Sequence, residues 1–215
     1  MPGSDHIDDL IARAQQGEIR AFEQLVASHV PQLRRFARAF IASDSDADDL
    51  AQEALIKVYR SIKLFRHQAA FSTWLYAVAR NVFLDFTRSR AGHERAREES
   101  LEVAHTEHLA GDVAADAHLE QEQERERVWR ALRQLPVDYR TALVLFDLEG
   151  RSYDEVAAIE GVPIGTIRSR LSRGRAQLKV LLDEADARER RTVEARGAEG
   201  TLSSATSSHV RRSGS

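Results

Sequence analysis

The stretch 152–179, SYDEVAAIEGVPIGTIRSRLSRGRAQLK, constrains the fold of this chain more than any other. Ser152 followed three residues later by Glu155 has capping-box spacing, in which a hydroxyl and a carboxylate serve two otherwise unpaired N–H groups at a helix start. Tyr153, Val156 and Ala157 then supply apolar positions at helical spacing. Gly161 permits a sharp turn, because glycine accepts positive φ without strain. Pro163 opens a second helix, where its fixed φ costs little. In that helix Ile167, Leu171, Leu178 and Leu182 share one face at roughly 100° per residue. Arg168, Ser169, Ser172, Arg173 and Arg175 fall on the other faces, Lys179 a turn further on, and no acid occurs before Asp183. A buried stripe backed by arginines and short hydroxyls suits a helix lying in the major groove of DNA. The competing reading is a solvated basic face on an ordinary helix hairpin. Turn chemistry and charge pattern agree on a DNA-binding helix-turn-helix.

The net charge of −3 looks wrong for a DNA binder until it is mapped along the chain. From Ala54 to Arg97 nine basic residues face two acids, Asp85 and Glu94; from Glu98 to Glu126 ten acids face one base, Arg125. Two basic modules are thus separated by an acidic strip, an asymmetry that points to a nucleic-acid partner. The 215 residues suffice for one ordinary domain or two small ones. The absence of cysteine excludes disulfides, thiolate metal sites and a cysteine nucleophile. With neither a signal-peptide pattern at the N-terminus nor an apolar window of spanning length, the expectation is a cytoplasmic protein without membrane insertion.

Strand-like alternation is nearly missing, so the expected fold class is all-α. Ile7–Gln16 and Ala21–Ala42 read as helices joined at Gly17, the second bent or broken at Pro31. Asp46 reads as the cap of a helix to about Leu64, and Phe71–Ser89 forms another after the short loop Arg66–Ala70. Together these make a first domain over residues 7–90. Residues 91–122 lose periodicity and read as an acidic linker. Residues 123–182 make a second domain: a helix over Glu124–Gln134, a break at Leu135-Pro136, a helix over Asp138–Leu148 ended by Gly150, and the helix-turn-helix. Residues 183–215, Arg/Glu-rich and then Gly/Ser/Thr-rich, read as a disordered tail.

Two helices carry faces beyond the packed one. In the helix from Asp46, the residues Leu50, Ala51, Ala54, Leu55, Val58, Tyr59 and Ile62 cluster toward the core, and Asp49, Gln52, Glu53, Ile56 and Arg60 lie opposite. That second face is either solvated or a protein interface. Ile56, apolar inside a charged stripe, resembles the dry centre of an interface. In Phe71–Ser89 the buried stripe is expected to be Phe71, Trp74, Leu75, Val78 and Val82, with Thr73, Tyr76, Arg80, Asn81 and Arg88 projecting elsewhere. An aromatic, an amide and arginines suit single-stranded nucleic acid, whose bases stack on rings and pair with amides.

In order along the chain, LIARAQQGEIRAFEQLV (10–26), DADDLAQEALIKVYRSI (46–62), FSTWLYAVARNVFLDFTR (71–88) and LPVDYRTALVLFDLEGRSYDEVAAIEGVPIGTIRSRLSRGRAQL (135–178) resemble bacterial RNA polymerase sigma factors of the extracytoplasmic-function (ECF) type. The resemblance covers residues 7–182 and implies a promoter-specificity subunit, not an enzyme and without a cofactor, that serves a stress- or signal-responsive regulon and has an anti-sigma factor as partner. It makes Asp49, Gln52, Glu53, Ile56 and Arg60 contacts to core RNA polymerase. Phe65, Arg66, His67, Gln68, Ala69, Ala70 and Asn81 match a pocket for a base flipped from single-stranded −10 promoter DNA, with Thr73, Tyr76, Arg80 and Arg88 nearby. Arg168, Ser169, Ser172, Arg173 and Arg175 are matched to the duplex −35 element. The resemblance also gives the acidic linker a role. Some thirty residues reach at most ~100 Å but average ~30 Å as free coil, so holding two DNA sites apart needs a scaffold that keeps the linker extended. Two residues depart from the family pattern: Gly174 inside the recognition helix, and Arg151 where an apolar residue is usual.

Other chemistry finds little support. Asp44, Asp46 and Asp48 begin like a calcium loop, but Asp49 and Leu55 stand where it needs glycine and glutamate. His105 and His108 have no third metal ligand at sensible spacing, and there is no Gly-rich Lys-Ser/Thr loop for ATP. The rival reading is an autonomous homodimeric helix-turn-helix regulator that uses residues 1–90 for ligand or partner binding.

Overall fold

A computed structural model of the chain describes residues 2–98 and 116–209, with side chains described over 5–89 and 121–191. The described residues hold nine α-helices and no strand. The first module comprises α1 (Pro2–Gln15), α2 (Ile19–Val26), α3 (Val30–Arg38), α4 (Asp44–Ser61) and α5 (Phe71–Glu98). Gly17, at φ 97°, makes the α1–α2 turn. The break expected at Pro31 comes one turn earlier, as a 3-10 turn over Ala27–His29, so that Pro31 sits in the first turn of α3, where its missing N–H does no harm. The α4 cap is Ser43 rather than Asp46, because the Ser43 hydroxyl accepts the Asp46 N–H at 3.3 Å. Leu50, Ala51, Ala54, Val58 and Ile62 of the expected α4 stripe are buried, and Leu55 and Tyr59 are partly so.

The second module comprises α6 (Asp116–Gln134), α7 (Val137–Leu143), α8 (Tyr153–Glu160) and α9 (Ile164–His209). The helix expected over Asp138–Leu148 changes character midway. After α7 a π-helical segment, Val144–Leu148, leads to Gly150 at φ 67°, and the Arg151 N–H reaches back to the Leu145 carbonyl at 2.9 Å. That bond, six residues back along the chain, satisfies a carbonyl the helix end leaves free. Helix extends into both flanks of the region read as linker, and residues 99–115 lie outside the described residues, as do His105 and His108. The tail differs from expectation as well: α9 continues to His209. Same-face pairs, Lys179 with Asp183 at 2.8 Å and Arg188 with Glu184 at 3.6 Å, support the first turns of that extension as i,i+4 contacts.

The modules pack on each other, with α8 against α5. Much of the polar seam between them consists of arginines. Arg140 donates to the Ala39 carbonyl at 3.1 Å, and Arg133 to the Arg38 carbonyl at 3.4 Å. Arg35 forks onto Glu149 with both distances 3.0 Å, and Arg38 meets Glu126 at 2.9 Å. Arg151 lies 4.4 Å above the Tyr76 ring and donates to the Ser72 hydroxyl at 3.2 Å.

Candidate nucleic-acid interface

The helix-turn-helix is built by local chemistry. The Ser152 Oγ accepts the Glu155 N–H at 3.2 Å, and Glu155 accepts the Ser152 N–H at 2.9 Å. That backbone donor holds the Glu155 carboxyl below the usual carboxylate range. Gly161, at φ 68°, ends α8 in the left-handed region, as a sharp turn demands. Arg170 fixes the angle between the helices: it pairs with Glu160 of α8 and with Asp138 of α7, the latter at 2.8 Å. Burial pushes the Glu160 carboxyl up even with that guanidinium against it.

On this frame Ile167 and Leu171 are buried, while Arg168, Ser169, Ser172, Arg173 and Arg175 are all exposed. They are not equivalent. Arg175 is tied to Asp147 at 3.1 and 2.5 Å and lies over the Phe146 ring, so it also braces α9 against the π segment. Arg168 lies over Tyr153 at 5.6 Å, and the Ser169 hydroxyl donates to the Thr166 carbonyl. Arg173 has no ion-pair partner among the described residues and extends from the helix.

On α4 the residues Asp49, Gln52, Glu53, Ile56 and Arg60 are exposed together, Ile56 at 50%. A contiguous charged face with an uncovered isoleucine is therefore present.

The first module's α5 face is rotated from the expected one. Phe71, Leu75, Tyr76, Ala79 and Phe83 are buried, while Trp74, Val78 and Val82 are only partly so. Tyr76 and Thr73, expected to project, are instead inside: Tyr76 packs on Phe36 at 5.9 Å and under Arg151. Phe65 is also buried, in an aromatic cluster with His67, Phe71 and Trp74. Arg80 is mostly covered and faces Asp138 at 3.7 Å. Asn81 and Arg88 are exposed. Beside the Arg66–Ala70 loop opens a cleft of about 600 Å³, lined by Phe65, His67, Ala69 and Ala70 with His6 and Asp8 of α1. Asn81 is not in its lining; ten residues of helix separate it from Phe71, or about 15 Å of rise. Sequence reasoning missed His6, Asp8 and His29 here, since no local pattern brings α1 and the Ala27–His29 turn to the loop. The contact that ties α1 to the loop emerges only in the fold: His67, at φ 55°, meets Asp8 at 3.4 Å.

Among the described residues there is no cluster of three metal-ligating side chains, and no helix is long and apolar enough to cross a membrane. Two helical modules, one presenting a basic recognition helix, define a DNA-binding protein of the helix-turn-helix kind. Residues 25–93 match the Sigma-70 region 2 family and residues 125–178 the Sigma-70, region 4 family. The chain is 35% identical over 168 residues to the ECF RNA polymerase sigma factor SigE of Mycolicibacterium smegmatis, spanning 78% of this chain and 64% of that relative. It is 35% identical over 170 residues to the RNA polymerase sigma-H factor of Pseudomonas aeruginosa, spanning 77% and 88%. Among solved structures it resembles CnrH in complex with the cytosolic domain of CnrY, at TM-score 0.61 and 27% identity over 84% of this chain and 99% of that one. It also resembles the sigma factor RpoE in complex with the anti-sigma factor NepR from Bartonella quintana, at 0.58 and 31% over 75% and 96%. The chain belongs to the ECF sigma factor family of RNA polymerase promoter-specificity subunits.

Proposed function

We propose that this chain binds core RNA polymerase through the exposed α4 face and directs it to promoters by reading two DNA elements with its two modules. Asp49, Gln52, Glu53, Ile56 and Arg60 form the polymerase contact. Arg168, Ser169, Ser172 and Arg173 of α9 read the duplex −35 element in the major groove, with Arg175 bracing the helix and reaching the backbone. The cleft beside the Arg66–Ala70 loop holds a base taken from the stack at the −10 element, a step costing about a few kcal/mol that binding must offset, and Asn81, roughly 15 Å further along α5, contacts the same strand at another position. The chain itself supplies no covalent chemistry, so binding energy alone drives opening. The linker 91–122 connects the readers, and the site of action is the bacterial cytoplasm. An anti-sigma factor is the expected regulator, since the similar sigma factor RpoE from Bartonella quintana is seen in complex with the anti-sigma factor NepR.

The observation that carries this reading is the exposed basic face of α9 on a frame whose turn, cap and Arg170 brace fix its orientation. Purified chain added to core polymerase lacking any other sigma subunit should start promoter-specific run-off transcription. Absence of transcripts, with sequence-specific binding of a dimer to duplex DNA, would instead identify an autonomous regulator.

A further inference from the structure

The cleft beside the Arg66–Ala70 loop has one wall, α1, to which the sequence assigned no DNA contact. Every residue that lines it falls between His6 and Ser72, so it lies wholly within the first module and is open in the arrangement described above. Its apolar lining comes from Leu10 and Ile11 of α1, Leu25 of α2 and the rings of Phe65 and Phe71. Those two rings meet edge to face at 5.7 Å, and the His67 ring lies 4.7 Å from that of Phe65. A volume of about 600 Å³, mostly apolar with a few placed polar groups, is that of a small-ligand site. α1 is part of its frame rather than a loose arm. The Gln15 amide donates to the carbonyls of Ile62 and Phe65 at 3.1 and 3.0 Å, which pins α1 to the chain just ahead of the loop. Earlier on the same helix, Asp8 lines the cleft and meets His67 Nδ1 at 3.4 Å. His67 is the only non-glycine residue at positive φ among the described residues, at 55°, a region that side chains seldom occupy. Such outliers persist where the surroundings hold them, and they gather at binding sites. Asp8 and His67 are each about half exposed, so the pair sits at the mouth of the cleft. One Asp8 oxygen faces the ring, and the other meets no donor side chain among the described residues.

We propose that Asp8, oriented by His67, reads the exocyclic amine of the base seated in this cleft, so that the cleft accepts cytosine, adenine or guanine and rejects thymine. The proposal rests on the base-holding role given to the cleft and extends it to α1. A carboxylate only accepts hydrogen bonds. Among the DNA bases thymine alone lacks an exocyclic amine, and it turns the O4 acceptor outward where cytosine has its N4 donor. Thymine at this site would set one acceptor against another. The apolar walls take the ring of any base, and Asp8 supplies the discrimination. His67 acts through Asp8: its ring holds one carboxylate oxygen and leaves the other for the base. It is a positioning residue.

The test uses the full chain without polymerase, because the cleft is open in it. The probes are fluorescein-labelled strands abasic at every position but the central one, so that a single base is offered. 5-Methylcytosine and thymine have nearly the same shape, with an amine at C4 in one and a carbonyl in the other; adenine and purine differ by the amine alone. At low salt the amine should tighten binding about fivefold within each pair, the worth of one net hydrogen bond. Asp8→Asn keeps the shape but offers an amide that both donates and accepts, and should reduce each preference below about twofold. His67→Gly removes the ring and suits φ 55° without strain, so it should weaken both preferences with no fall in the thermal melt. The two changes together should lose no more than Asp8→Asn alone, since His67 acts through Asp8. Glu23→Gln, an exposed acid of α2 outside the lining, should leave both preferences unchanged. Equal binding within each pair, with every base tighter than a fully abasic strand, would keep the base pocket and overturn the amine assignment. No gain over the abasic strand for any base would defeat the base pocket, and this proposal with it. A preference that survives Asp8→Asn or His67→Gly, or an equal loss in Glu23→Gln, overturns the role given to the pair.

Discussion

Two residues show why single positions cannot be judged by their local preferences alone. Gly174 looks like a defect, since glycine within a helix costs up to ~1 kcal/mol relative to alanine. A Cβ there would stand 3.1 Å from Leu143 Cδ1 and 3.2 Å from Tyr139 Cβ, where α7 crosses α9. The missing methyl lets two backbones approach. Gly174→Ala should therefore give less than the ~1 kcal/mol that helix preference promises, and Gly174→Val should lose about 1–3 kcal/mol to overpacking. Urea midpoints at constant slope decide both, and a full gain for alanine would show that Leu143 yields freely. Arg140 is the second case. It is buried, burial lowers its pKa, and it meets no carboxylate. It donates instead to the carbonyls of Ala39, Arg133 and Leu135 at 3.1, 2.7 and 2.8 Å, where α3 and α6 end with unpaired oxygens. Arg140→Met should destabilise by about 2–4 kcal/mol, because it strands three acceptors. Arg140→Lys should rescue little, since one ammonium cannot reproduce the planar fork.

At the scale of elements, what was legible is what is decided locally. Ser152, Glu155, Gly161 and Pro163 act on neighbours within a few residues, so the helix-turn-helix emerged from sequence with its capping box and its turn in place. Ser152→Ala should cost about 1 kcal/mol in a thermal melt at neutral pH. Glu155 adds a pH dependence of defined sign. Its folded pKa lies below the unfolded value, so its contribution is present above the usual carboxylate range and is lost as pH falls through the folded value. The advantage of the wild type over Glu155→Ala should thus shrink on acidification below about pH 4.3, and a constant gap would exclude the charged cap. The α5 face was misjudged for the opposite reason. Tyr76 has a polar tip and Val78 and Val82 do not, so local hydropathy put the tyrosine outside. In the fold Phe36 packs on its ring and Arg151, from a distant stretch, covers it. The Arg151 departure noted in the sequence becomes intelligible in the same way: an apolar residue could not bridge Ser72, Glu155 and the Tyr76 ring. On α9, Arg173→Ala should weaken −35 duplex binding by roughly 1–3 kcal/mol and relax discrimination at one base pair. An equal loss on every sequence would make Arg173 a phosphate contact instead.

For the whole molecule, the order of events follows from which faces the closed arrangement leaves open. Residues of the first module assigned to the −10 strand, Tyr76 and Arg80, are covered by the second module. The α4 face is not: Asp49, Gln52, Glu53, Ile56 and Arg60 are exposed in the same structure, and none of them appears in the seam. A polymerase contact on α4, as proposed, therefore needs no prior parting of the modules. Asp49→Ala with Gln52→Ala should weaken co-purification with core polymerase while leaving the thermal melt unchanged, as exposed substitutions off the core usually shift stability by no more than about 0.5 kcal/mol. Ile56→Asp should weaken it further, because an interface centre loses apolar contact and gains a charge with no partner. If docking does not depend on the seam, these losses should be the same in the wild type and in a Glu149→Gln, Glu126→Gln variant, which lacks two of the seam's carboxylates and presents α4 alike. Losses confined to that variant would mean that the α4 contact forms only once the seam is weakened. Undiminished co-purification in both would remove the α4 face from the interface altogether.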